Sequence, residues 1–187
     1  MQTKRVGTAH LDAQIDELEG AGNTTMVLAV NKKAVGLIAV ADVLRKQTVK
    51  TVNALKKSGV KVMMLTGDNE RVAKAIAKKA GIDQVIADVL PKDKANEVKK
   101  LQEMGEVVGM VGDGINDAPA LTQADVGIAI GAGTDIAMEA GEVVLIKNDL
   151  TDVACFMKLS RKTMSKIKQN LFFAFFYNVV AIPVAAG

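Results

Sequence analysis

The feature that most constrains this chain lies at its C-terminal end, where no residue from Gln169 to Gly187 carries a charge and the run LFFAFFYNVVAIPVAAG closes the sequence. Five of the six aromatic residues fall between Phe172 and Tyr177. A helix of this material has Phe on every face, which an amphipathic core helix does not. The run stops just short of the ~20 apolar residues that span a bilayer, so it reads as a truncated membrane helix. Lys158, Arg161, Lys162, Lys166 and Lys168 precede it. Positive flanks stay on the cytoplasmic side. The expectation is a soluble part in the cytoplasm, held at a plasma or inner membrane. Met1 to Glu19 has no apolar segment of the kind a signal peptide needs.

The rest has the composition of a folded protein: 49% hydrophobic and 24% charged residues, against the low hydrophobicity of disordered chains. Twenty-four Lys and Arg against 21 Asp and Glu leave a net charge of +3. No basic run is interleaved with stacking aromatics, which argues against nucleic acid as a partner. Cys155 is the single cysteine, so internal disulfides and Cys-rich zinc sites are excluded. Its expected role is that of a small core residue.

Residues 1–41 read as a small α+β piece. Leu11, Ile15 and Leu18 give one helical face, and TTMVLAV and AVGLIAV flank Asn31-Lys32-Lys33 as a hairpin. From Asp42 the pattern becomes helix and strand in alternation. A helix over Lys46–Ser58 leads to the strand VKVMML, then a helix over Glu70–Ala80 ended by Gly81, and a short VIA strand. A helix from Pro91 to Met104 precedes VVGMV; a short helix near Ala118–Thr122, VGIAI, a helix near Asp135–Ala140 and VVLI follow. Such alternation means parallel strands with helices on both faces. From Leu150 one long helix carries the basic flank into the apolar run. The predicted domains are therefore 1–41, 42–157 and 158–187.

In open parallel sheets, ligands sit beyond the carboxyl ends of the strands. VKVMML runs into Thr66-Gly67-Asp68-Asn69 and a helix, which reads either as a phosphate cradle at a helix N-terminus or as an ordinary cap. VVGMV runs into Gly112-Asp113-Gly114-Ile115-Asn116-Asp117. Two hard carboxylates four residues apart at a strand end suit Mg²⁺, which keeps phosphate and water oxygens among its ligands; the plainer reading is a turn with a capping Asp. Between them, Pro91-Lys92-Asp93-Lys94 opens a helix with a lysine in its first turn, an unfavourable place for a cation. Either Lys94 is a solvated surface residue or it reaches an anion held at the neighbouring strand ends. The glycine turn Gly131–Asp135 reads as packing, and Met63, Met64 and Met110 as core residues.

TGDN, the Pro-x-x-Lys element and GDGINDAPAL, in this order and at this spacing, resemble the phosphorylation domain of P-type ATPases, members of the haloacid dehalogenase-like superfamily. The resemblance runs through nearly the whole chain. Residues before Asp42 resemble the tail of a nucleotide-binding domain, and Asp42-Val43-Leu44-Arg45 the hinge strand that follows it. The ending, with Tyr177-Asn178, is similar to the heavy-metal subfamily, copper exporters above all. The implied fold is α/β: a haloacid dehalogenase-like (Rossmann-like) parallel sheet flanked by helices, lacking its nucleophile strand, with a partial α+β nucleotide-binding domain before it and a truncated transmembrane helix after it.

By that resemblance the function is ATP-driven export of a heavy-metal cation, copper first, with Mg²⁺ and ATP as cofactors. Asp113 would ligate Mg²⁺, with Asp117 a second ligand or behind the first. Thr66 and Gly67 would hold the transferred phosphoryl oxygens, Lys94 would neutralise them, Asn116 and Asp117 would complete the pocket, and Asp68 would orient it. Tyr177 and Asn178 would face the transported metal. The DKTGT string of the family's nucleophilic Asp is absent from these 187 residues, as are its Ser-Glu-His-Pro element, actuator TGE and Cys-Pro-Cys helix. The expected partners are therefore the rest of the same ATPase, the membrane and the metal, and the chain alone is expected to be inactive. Two alternatives share the loops: a soluble phosphatase of the superfamily, and a non-catalytic phosphate- or Mg²⁺-binding truncation product. In the superfamily the strand bearing the nucleophile lies between the strands that deliver TGDN and GDGIND, so those two should show a gap or pair directly.

Overall fold

The structure, a computed structural model, describes residues 10–41, 44–113, 115–131 and 139–187. Asp42 and Val43 of the expected hinge, Gly114, and residues 132–138 of the glycine turn and the helix after it lie outside them.

Helix α1 (Asp12–Gly20) leads into a hairpin of β1 (Asn23–Val30) and β2 (Lys33–Ala41). Asn31 and Lys32 at its tip both adopt positive φ, 49° and 64°, the geometry whose twist suits a two-residue hairpin. The hairpin is a sheet of its own. Glu19, 14% exposed, fastens this piece to the body: its carboxylate accepts from Thr25 Oγ1 and Asn69 Nδ2, both at 2.9 Å.

The body begins with α2 (Thr48–Lys57), β3 (Met63–Leu65), α3 (Glu70–Ala80) and β4 (Gln84–Ile86), with β3 and β4 parallel. Asn69 caps α3, accepting the Val72 N–H at 3.0 Å, and Gly81 closes it at φ 76°. Val72, Ala73, Ala77 and Ala80 form its buried stripe. A 3₁₀ turn (Pro91–Asp93) opens α4 (Lys94–Glu103); then come β5 (Gly109–Gly112), a second 3₁₀ turn (Ile115–Asp117), α5 (Ala118–Gln123), β6 (Val126–Ile130) and β7 (Val143–Leu145). Strands β5, β6 and β7 form a parallel sheet in that order. Val98, Ala120 and Ala124 make its helix-side core, with Val108 and Met110 packed against them.

The helix-flanked parallel arrangement read from the sequence is present, in two pieces: β3–β4 and β5–β6–β7 are not hydrogen-bonded to each other. The gap expected between β3 and β5 is there. VKVMML contributes only Met63–Leu65 as strand, as suits a segment hydrogen-bonded on one side alone.

Helix α6 (Leu150–Ala186) is 37 residues long, about 55 Å at 1.5 Å per residue. Asp149 caps it by accepting the Thr151 N–H at 2.9 Å, and these bonds hold its carboxyl below the ordinary range. Its first turns pack on α2, with the Thr51 and Thr151 hydroxyls 3.4 Å apart and Arg161 donating to the Ser58 carbonyl at 2.6 Å. Beyond them Phe172, Phe173, Phe175, Phe176 and Val179 are exposed, and the helix is long and apolar enough to cross a membrane. Cys155 corrects the sequence reading. It is exposed, because it faces a groove between α2 and α6.

Candidate active site

All the loops singled out in the sequence follow the carboxyl ends of strands or the turns beside them. After β3, the Thr66 N–H donates to Ile86 O at 3.0 Å, and its carbonyl accepts from Val89 N–H at 3.1 Å. The Thr66 hydroxyl donates to Asp68 Oδ2 at 2.9 Å, and the Asp68 N–H points back at Thr66 Oγ1 at 3.2 Å. Gly67 lies exposed between them. Asp68 thus fixes the Thr66 rotamer, while Asn69 is spent on the helix cap. The cap reading of TGDN holds at Asn69, and Thr66 and Asp68 form a turn of their own at the strand end.

Asp88 is the residue that the sequence reading missed. It takes φ 56°, and its N–H donates to Asp68 O at 2.9 Å. The one available signal was residue type, since Asp tolerates the left-handed region better than most. Its turn clamps the segment that follows β4 against the Thr66 loop and delivers the chain through Leu90 into the Pro91 turn.

That turn carries Lys94 to Asp117. Nζ lies 2.7 Å from Oδ1, and both side chains are only 15% exposed. The surface-lysine alternative is overturned, because a solvated lysine is neither shielded nor paired. Gly112 makes the contact possible: a Cβ there would sit 2.7 Å from the Asp117 Cβ, closer than real atoms approach. The turn after β5 can therefore fold back tightly only over glycine. Asp113, the residue after β5, and Asn116 are exposed.

The structure pairs Thr66 with Asp68, and Lys94 with Asp117, and no hydrogen bond or ion pair links the two pairs among the described residues. Asp113 and Asn116 stand on the same turn as Asp117. Tyr177 and Asn178 do not join them; they sit exposed on α6, Tyr177 about 24 Å along the axis beyond Arg161.

Whether this set suits Mg²⁺ is decided by donor chemistry. Among the described residues no group of three or more His, Cys, Asp and Glu converges, which does not suit an all-protein metal cage. One or two carboxylates completed by substrate phosphates is the usual way Mg²⁺ is held. Asp113, exposed at the strand end, fits that donor; Asp117 already has Lys94 on one oxygen.

The family model described as haloacid dehalogenase-like hydrolase matches residues 2–125. The chain belongs to that family. It is 52% identical over 186 residues to the copper-exporting P-type ATPase of Bacillus subtilis, covering 100% of this chain and 23% of that protein. It is 55% identical over 172 residues to the Enterococcus hirae protein named "Probable copper-importing P-type ATPase A", covering 91% and 24%. The chain thus spans about a quarter of the length of these relatives. Among solved structures, a zinc-transporting PIB-type ATPase in its E2.Pi state superposes with TM-score 0.81 at 37% identity, over 98% of this chain and 30% of that one. The catalytic domain of the CPx-ATPase CopB-B superposes with TM-score 0.57 at 31% identity, over 71% of this chain and 53% of the other. Within the haloacid dehalogenase-like family, the likeness is to heavy-metal P-type ATPases.

Proposed function

We propose that this chain is a fragment of an ATP-driven heavy-metal pump that supplies the phosphate-stabilising and Mg²⁺-binding residues for phosphoryl transfer. The observation that carries this reading is the shielded Lys94–Asp117 pair held beside Asp113 at the end of β5. A lysine drawn into the first turn of a helix and fixed there is placed to meet transferred phosphoryl oxygens as a point charge. Thr66, its hydroxyl oriented by Asp68, and the Gly67 backbone would bind the same oxygens. Asn116 would complete the pocket, and Asp117 would keep Lys94 aligned. Asp113 would hold Mg²⁺, which when bound supplies charge neutralisation at the phosphates. Positioning and electrostatic stabilisation are what such residues offer; none is arranged to attack.

The same reading assigns residues 1–41 to a nucleotide-binding domain remnant, 42–157 to the phosphorylation domain, and 158–187 to the basic linker and membrane helix, with the catalytic part in the cytoplasm. The transported metal is proposed as copper on the weight of the relatives, with Tyr177 and Asn178 toward its path. Neither residue offers the soft ligand that Cu(I) prefers, so the assignment rests on likeness. Import and export both occur among the relatives' names.

The test is covalent labelling with ³²P from ATP. The purified 187-residue chain should take up none, because a phosphoenzyme needs a nucleophile and no residue here has that position. Co-expression with a segment bearing DKTGT should restore a phosphorylated Asp on that segment, and Asp113→Asn should abolish the restored signal. Covalent ³²P on this chain alone would overturn the proposal.

A further inference from the structure

We infer that the groove between α2 and α6 is a docking site for an acidic amphipathic α-helix of a partner protein. The two helices run parallel along their contact: Gln47 meets Thr151 at one end, and the Ser58 carbonyl meets Arg161 at the other. The groove is lined from Gln47 to Ser58 on α2 and from Thr151 to Lys162 on α6, about 16 Å or three helical turns on each. A small anion would fill only one end of so long a trough. Its floor includes Ala54, Ala154 and Cys155, small residues between which the side chains of an incoming apolar stripe can enter, as in ridge-and-groove packing. The walls also select the partner's backbone. Both are helices whose backbone groups are already bonded internally, so an extended segment would leave its own N–H and C=O groups without partners, whereas a helix satisfies its own.

The rim fixes the partner's charge. Lys50 on one wall, and Lys158 and Lys162 on the other, are exposed. Among the described residues none of the three has an ion-pair partner. No Asp or Glu lines the groove. Neither Lys46–Ser58 nor Val153–Asn170 contains one, although the first stretch carries four Lys and Arg and the second five.

Solvated helix faces elsewhere in this protein are built differently. On α3, Lys74 pairs with Glu70; on α4, Lys100 pairs with Glu97 and Lys99 with Glu103. Arg161 has an internal task, donating to the Ser58 carbonyl just past the end of α2. Lys50, Lys158 and Lys162 have none. Lys158 and Lys162 are moreover like charges four apart on one helix, an arrangement that destabilises it. They stand about 6 Å apart along the axis, the spacing of two Glu residues four apart on a helix laid beside them. Lys50 on the opposite rim calls for a further carboxylate on the other flank of the apolar stripe.

Cys155, the only cysteine, is exposed in the groove, so its alkylation reports occupancy. The experiment holds the whole chain in a neutral detergent and titrates it with a hydrocarbon-stapled helical peptide of about 15 residues, whose Leu stripe is flanked on both sides by Glu. Fluorescence anisotropy of the labelled peptide reads affinity, and the rate at which N-ethylmaleimide alkylates Cys155 reads location. Saturating peptide should slow alkylation several-fold. A peptide with Gln in place of Glu, one of the same composition in scrambled order, and inorganic phosphate should not. The Lys50→Gln/Lys158→Gln/Lys162→Gln variant should bind about tenfold more weakly, as the loss of three exposed ion pairs predicts, and should lose protection at the same peptide concentration. The matching triple arginine variant should keep both, which separates lost charge from lost folding. Lys166→Gln/Lys168→Gln, on the same helix but beyond the groove, should also keep both, which separates the groove from general surface charge. Unslowed alkylation at saturating peptide, protection that survives the triple glutamine variant, or equal protection by the Gln or scrambled peptide would each overturn the inference. Protection by inorganic phosphate alone would also overturn it, by making the groove a small-anion site.

Discussion

Strands β1 and β2 leave Met26, Leu28, Val30, Ile38 and Val40 half exposed or more, whereas β6, comparably apolar, buries Gly127, Ile128 and Ala129. The difference lies in what surrounds each strand. β6 has a parallel neighbour on either side and α5 across its face. The hairpin has only its own antiparallel partner and α1, a nine-residue helix that buries none of its own residues, and it stays short of the three strands that make a small sheet independently stable. Apolar content marks a strand as needing cover, and only the fold tells whether this chain supplies it.

Two glycine substitutions break the comparison most sharply. A Cβ on Gly127 would lie 2.6 Å from the Leu121 carbonyl oxygen, and neither backbone can yield cheaply. Gly127→Val should cost ~3 kcal/mol or more by overpacking, read as a collapse of the urea midpoint. On β2, a Cβ at Gly36 meets nothing within 4 Å. Gly36→Val should be neutral or slightly stabilising through strand propensity. Equal losses at the two sites would mean that the hairpin is covered after all.

Lys94→Ala comes next. It leaves the Asp117 carboxylate shielded and unpaired, at a cost of ~2 kcal/mol, and Asp117→Asn added to it should recover part of the loss in a double-mutant cycle. Lys56→Ala removes a bond of similar length, 2.5 Å, from an Asp83 side chain that is 83% exposed. That change should cost no more than ~0.5 kcal/mol. A Lys94→Ala melt as mild as the Lys56→Ala melt would undo the argument that Lys94 is held for a purpose.

Much of this was legible in the sequence because it is local chemistry. Gly81 ends α3, Asn31-Lys32 turns the hairpin, and the Gly112–Asp117 string folds tightly because its glycine tolerates the approach. What was not legible depends on distant partners. The Lys94–Asp117 contact spans 23 residues, and nothing near Lys94 says which anion it meets. Cys155 sits two residues from the buried Val153 on the part of α6 that packs on α2, and its exposure follows from the groove between the two helices. The positive φ of Asp88 is imposed by the Asp68 carbonyl it must reach, in a loop that reads as featureless.

Glu19 links the two regions, beside the Arg71–Asp16 ion pair and Lys79 on the Ala21 carbonyl. Glu19→Ala removes the acceptor for Thr25 and Asn69 and should cost ~1 kcal/mol. The loss should appear as faster hydrogen exchange in α1, β1 and β2, with β5 and β6 unchanged, because Asn69 still caps α3 through its own carbonyl oxygen. Faster exchange spreading to β6 would show that the hairpin supports the body instead of hanging from it.

The smallest expected effect is on pH. The Val108 N–H, bound at 2.8 Å, holds the Asp125 carboxyl below its ordinary value, and the Thr151 N–H does the same for Asp149. A carboxyl whose folded pKa is lowered adds stability above its unfolded pKa and loses it as pH falls through the folded one. The body should therefore loosen locally, at the entry to β5 and the start of α6, as pH falls below the ordinary 3.8 of these groups. The hairpin from Asn23 to Ala41 contains no Asp or Glu, so its own backbone has nothing to titrate there. Protection factors, corrected for intrinsic exchange, should fall a few-fold at Val108 and Thr151 between pH 5 and pH 3, while those of β1 and β2 hold away from Glu19. In Asp125→Asn and Asp149→Asn the side chains can still accept but no longer titrate, so the fall should vanish. If it persists in those variants, the acid response belongs to some other group, and the contrast between an acid-sensitive body and an acid-indifferent hairpin loses its cause.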